Sequence, residues 1–129
     1  MVAASRFVRC ALVAAVLAAC GDGGPRAGSV ELVLTGTDAR AARLKVAGPV
    51  IGVTAVDPTV RVFGENLPGD TMIVVIIADE GHTLDEQPLV SLQVSDVDAA
   101  RSYVIEVVQV AGPNYSLLNP GGYSVTVAP

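Results

Sequence analysis

The chain has no tryptophan, two phenylalanines, three tyrosines and one histidine among 129 residues, and only 16% of its positions are charged. One His cannot build a zinc site alone, and two Cys cannot staple a disulfide-rich scaffold. Positive charge is scarce too. Eight Lys and Arg stand against thirteen Asp and Glu, a formal charge of −5, so no basic stripe exists to meet a phosphate backbone. Nucleic acid is excluded as a partner. A disordered chain is excluded from the other side, because 51% of the residues are hydrophobic and can build a modest single core at this length.

What is present begins with an address. Arg6 and Arg9 precede a wholly apolar run from Cys10 to Ala19. That run is about half of what a membrane-spanning helix needs and suits the core of a signal helix. It ends in Leu17-Ala18-Ala19-Cys20-Gly21, which resembles the lipobox of bacterial lipoproteins. The resemblance implies cleavage before Cys20 and a covalent lipid on that sulfur, a nucleophile strong enough to accept a diacylglyceryl group. Residues 1–19 then form a lipoprotein signal peptide. Residues 20–29 form the lipidated Cys and a flexible Gly- and Asp-bearing tether, and 30–129 the folded domain. Two or more acyl chains on Cys20 make the membrane attachment firm. Gly21, rather than Asp, in the position after the lipidated Cys favours the outer membrane over the inner one of the bacterial envelope.

Processing also changes the chemistry. Losing residues 1–19 removes Arg6, Arg9 and Cys10, leaving 110 residues with six basic and thirteen acidic side chains, a formal −7. With Cys20 a thioether, neither thiol catalysis nor Cys-based metal binding is available.

Beyond Ser29 the texture is β. Runs rich in Val, Ile and Thr are cut by Gly, Pro, Asn and Asp clusters, predicting strands over 30–35, 42–47, 50–56, 60–63, 72–78, 89–95, 102–110 and 123–127. Several alternate apolar and polar residues and are half-buried. Thr71 to Ala78 does not alternate, which predicts a central strand covered on both sides or lying between sheet and loop. Asp38 to Lys45 is the best helical candidate, one turn before a strand. About eight short strands at even spacing predict an all-β fold, an antiparallel sandwich of jelly-roll type.

The run A-x-L-x-V-x-G-P-x-I from Ala42 to Ile51 leads into a Gly- and Asp-bearing loop. The apolar strand from Met72 follows, then P-L-V-S-L-Q-V from Pro88, the Asp96 and Asp98 turn, and Y-S-V-T-V near the end. This order resembles cohesin-like domains of the carbohydrate-binding β-sandwich superfamily. The resemblance implies a jelly roll and a binding role. It implies no dockerin partner, since the chain carries no dockerin-type calcium repeat, and the missing Trp counts against stacking sugars.

Three clusters are candidates for chemistry. Asp79, Glu80, Asp85 and Glu86, with Gly81 and the lone His82 between them, offer oxygens that Ca²⁺ could use, although the spacing is not that of an EF-hand and a polar connecting loop has the same composition. Asp96 and Asp98 read as a turn that accepts backbone hydrogen bonds. Tyr115, among Asn114, Ser116 and Asn119, either anchors an interface or tucks under its loop to close one end of the sandwich. No G-x-S-x-G elbow or poised acid–base pair is present. The expected function is therefore that of a membrane-anchored, non-catalytic protein- or envelope-binding module without a cofactor. The alternative is a carbohydrate- or cell-wall-binding module. Calcium held at 79–86 would raise the melting temperature of the protein; no shift at millimolar Ca²⁺ assigns the loop to solvent.

Overall fold

A computed structural model describes residues 24–128. The expected signal peptide, residues 1–19, and the expected lipidation site Cys20 lie outside the described residues. The elements are β1 (Gly28–Thr35), β2 (Ala41–Ala47), β3 (Gly52–Ala55), β4 (Val60–Leu67), β5 (Thr71–Ala78), β6 (Pro88–Val94), a one-turn helix α1 (Val97–Ala100), β7 (Val104–Ala111), β8 (Leu117–Leu118) and β9 (Ser124–Ala128). They form two antiparallel sheets, of order β3-β6-β1-β9 and β4-β5-β2-β7-β8. The fold is the expected all-β sandwich.

Period-two alternation explains the layers. Val30, Leu32 and Leu34 of β1, Leu44 and Val46 of β2, Val74 and Ile76 of β5, and Val90, Leu92 and Val94 of β6 are all buried between the sheets. Among the described residues no polar or charged residue is buried with them. Removing one such side chain, Leu44→Ala for example, costs about 2–5 kcal/mol through lost burial and the cavity left behind.

Two expectations are corrected here. Asp38 to Lys45 forms no helix: β2 occupies most of it, with Ala42, Leu44 and Val46 inward and Arg43 and Lys45 outward. A short helix has few bonds to repay its nucleation, whereas here β5 and β7 flank β2 along its whole length. Asp38 itself has a left-handed φ of 62°, which a right-handed helix does not accommodate. The second correction concerns β5. It is central, between β4 and β2, but only one of its faces is covered. Met72, Val74, Ile76 and Ala78 are buried, while Ile73, Val75 and Ile77 are half-exposed on the outer face.

The two sheets match strand for strand: β3, β6, β1 and β9 in one correspond to β4, β5, β2 and β7 in the other. The correspondence extends to a local device. β1 and β2 are each followed by a glycine, Gly36 and Gly48, with φ of 150° and 152°. A tyrosine ring packs on each: Tyr123, just before β9, on Gly36, and Tyr103, just before β7, on Gly48. Each hydroxyl donates to the carbonyl of the residue after its glycine, Tyr123 to Thr37 and Tyr103 to Pro49. The Tyr103 clamp closes the end where β1 starts, and the Tyr123 clamp closes the opposite end.

A Cβ on Gly36 or Gly48 would lie 2.2 or 2.5 Å from the ring it supports. Gly69 also has a positive φ, 81°, but with nothing within 4 Å. Urea unfolding should therefore show Gly36→Ala and Gly48→Ala each costing about 2 kcal/mol or more, against about 1 kcal/mol for Gly69→Ala, where only backbone strain is added. Equal costs at the three positions would remove the clamps from the account.

Candidate functional site

The acidic stretch lies at the end of the sandwich opposite the start of β1, in the connection from β5 to β6. Its local structure is more fixed than its composition suggests. Leu84, in the middle of the polar run, is fully buried. Its amide donates to the Ala39 carbonyl at 2.8 Å, and that of Glu86 to Leu34 at 3.0 Å. Asp79 lies 3.5 Å from Arg61, Glu80 and His82 are exposed, and the Oδ1 of Asp85 is buried without a hydrogen-bond partner. Among the described residues no three Asp, Glu, His or Cys side chains converge on a point where an ion could sit.

Asp96 and Asp98 take up the turn chemistry of their spacing. Asp96 caps α1, accepting from the Asp98 amide at 3.1 Å, and Asp98 pairs with Arg26 at 2.9 Å. Tyr115 is 70% exposed at the end of a 3-10 turn, Pro113–Tyr115. It does not tuck under its loop. Tyr103 and Tyr123 close the two ends instead.

The feature that sequence reasoning missed is a difference between the two outer faces. On the four-stranded sheet the outward residues are mostly hydroxyl and amide bearing: Thr54, Ser91, Gln93, Ser124 and Thr126. Gln93 reaches both Ser91 and Thr54 there, at 3.3 and 3.4 Å. On the five-stranded sheet the outward residues include Phe63, Ile73, Val75, Ile77 and Leu117, with Arg43 and Lys45 in their midst on β2. Phe63 is 57% and Leu117 70% exposed. A shallow depression of about 220 Å³ on this face is lined by Arg43, Val75, Gln109, Ala111 and Leu117. The sequence signal was the unbroken T-M-I-V-V-I-I-A of β5, which gives one strand two apolar faces.

Among the described residues three groups titrate away from their ordinary values. Asp57 accepts from the backbone amide and the hydroxyl of Thr59, at 2.8 and 2.7 Å. These bonds hold its carboxyl below the usual 3.8, with His82 adding a smaller attraction. Tyr103 and Tyr123 are raised above 10.0 by burial first, then by nearby carboxylates, Asp70 and Asp96 for one and Asp38 and Asp85 for the other. For Asp57 the stabilisation is present above pH 3.8 and is lost as pH falls through its lower folded value. For the tyrosines it is present below pH 10 and is lost as pH rises through their higher folded values. Unfolding followed against pH should therefore show stability falling above pH 10, with a shallower fall in Tyr103→Phe and Tyr123→Phe. An unchanged slope in both variants would detach alkaline unfolding from the clamps.

No family model, curated protein or solved structure matches this chain.

Proposed function

We propose that this chain is a bacterial lipoprotein, lipidated at Cys20, whose sandwich is a non-catalytic module that binds a protein or another envelope component through the outer face of the five-stranded sheet. The observation that carries the reading is the contrast between the two outer faces. Antiparallel sheets with one wet face normally place polar residues there, and the four-stranded sheet does so. The five-stranded sheet instead sets half-exposed Ile73, Val75 and Ile77 beside exposed Phe63, and places exposed Leu117 of β8 across the depression from Val75. Contiguous exposed apolar surface of this kind marks an interaction site. Charge on this face is close to balanced, with Arg43, Lys45 and Arg61 against Glu65 and Glu106, the last directly opposite Lys45, while the chain as a whole is acidic. The lipobox-like segment supports a lipid anchor, Gly21 after Cys20 supports an outer-membrane address, and the cohesin-like order of segments supports a binding role.

A carbohydrate partner has one observation in its favour, the exposed Tyr115 beside Asn114 and Asn119, at the far end of the sandwich and off the apolar depression.

Two experiments test the reading. The wild-type chain should incorporate labelled fatty acid and sediment with membranes, and Cys20→Ser should do neither. Affinity capture from solubilised envelope by the full lipidated chain should yield a stoichiometric partner. Phe63→Asp should reduce its recovery tenfold or more, while Thr126→Asp on the opposite face leaves it unchanged. Recovery indifferent to Phe63→Asp would remove the five-stranded face from the reading, and retention of a polysaccharide dependent on Tyr115 would replace the protein partner with a glycan.

A further inference from the structure

The tether is short, and the fold fixes where it ends. The Val97 amide donates to the Arg26 carbonyl at 2.9 Å, and the Arg26 guanidinium holds Asp98 at 2.9 Å. The chain is thus pinned to α1 from Arg26 onward, two residues before β1 begins. Six residue steps separate Cys20 from Arg26. Six such steps span about 20 Å at full extension. An eight-residue strand such as β1 is about 27 Å long. A lipid on Cys20 therefore cannot bring the far end of the sandwich to the bilayer, because the tether is shorter than the body it would have to run along.

The end that can reach the bilayer is the one from which β1 starts. Besides α1 it carries the β2–β3 connection, the β4–β5 turn and the start of β7. Ile51 is 70%, Val104 69% and Leu67 38% exposed there. Ile51 and Leu67 line one depression with Pro49 and Val50, of about 300 Å³. Leu67 and Val104 stand at the two ends of one cross-sheet row that runs through Thr71 and Ala47. Charge separates the ends further. The loops of the β1-start end hold Asp70, Asp96 and Asp98 against Arg26 and Arg101. Those of the far end hold Asp38, Asp57, Asp79, Glu80, Asp85 and Glu86 against Arg40, with Arg61 beside Asp79 at the start of β4. An anionic lipid surface repels the second set far more than the first.

Resting on the reading of Cys20 as lipidated, we infer that the β1-start end of the sandwich is seated on the lipid surface, with Ile51, Leu67 and Val104 as its contacts. The acidic 79–86 loop and Tyr115 then face away from the membrane, and the outer face of the five-stranded sheet stands along the membrane normal, open to a partner from the side.

The mature chain has no other thiol, so a single introduced cysteine can report depth. The full lipidated protein, carrying Ile51→Cys or Glu80→Cys with an environment-sensitive fluorophore, is placed in phosphatidylcholine–phosphatidylglycerol vesicles with brominated acyl chains. The label at 51 should be quenched at least twofold and shifted to the blue, and the label at 80 should match its value in unbrominated vesicles. In a Leu67→Asp, Val104→Asp background the chain should still float with vesicles while quenching at 51 falls towards that at 80. A floating chain with equal quenching at 51 and 80, or none at 51, overturns the seating. Failure of the wild-type chain to float overturns the lipid anchor itself, and the seating with it.

Discussion

The tyrosine clamps at Gly36 and Gly48 hold the sandwich in one alignment, and the other features of the fold depend on that alignment. Among the described residues the core between the sheets is aliphatic with Met72, and contains no buried polar residue. Such a core supplies adhesion without direction, because hydrophobic burial is non-directional. Direction comes from the strand ladders within each sheet and from two bonds between distant parts of the chain, Tyr103 to Pro49 and Tyr123 to Thr37. Each ties the loop after one strand to the start of the strand paired with it. In a domain this poor in aromatics, Tyr103 and Tyr123 act as end-caps, and burial that raises their pKa follows from that role.

Much of the fold was legible because alternation is a local signal. Val30, Leu32 and Leu34, or Val90, Leu92 and Val94, announce a buried face within a handful of residues. Asp38 to Lys45 misled because three Ala and two Arg suit a helix by propensity, and the ladders to β5 and β7 that override propensity come from distant sequence. Leu117–Leu118 is too short to register as a strand. Leu84 was hidden inside an acidic run, where one apolar residue reads as incidental, yet it pins the loop. The clamps join residues 54 and 86 positions apart, and nothing local to Tyr103 or Tyr123 announces the partner glycine.

The candidate site divides along the same line. The lipobox, the acidic stretch and Tyr115 are contiguous motifs and could be named from the sequence. The apolar outer face could not, because Phe63, Ile73, Arg43 and Leu117 belong to four strands that meet only in the folded sheet. Only β5 hinted at it, by carrying apolar side chains on both faces, and the hint did not say whether another element covers the second face. Among the described residues no element covers that face.

Two distinct faces and two distinct ends give the domain an orientation, and with Cys20 lipidated, as proposed, the short tether would convert that orientation into a position at the membrane. Neutron reflectometry of the lipidated protein on a supported bilayer tests this most directly, since it reads the protein profile along the membrane normal. A protein layer that begins at the headgroups without an intervening water layer, and extends outward by the length of the strands, is the predicted profile. A water-filled gap between headgroups and protein, or a layer only as thick as the sandwich is deep, would contradict the account.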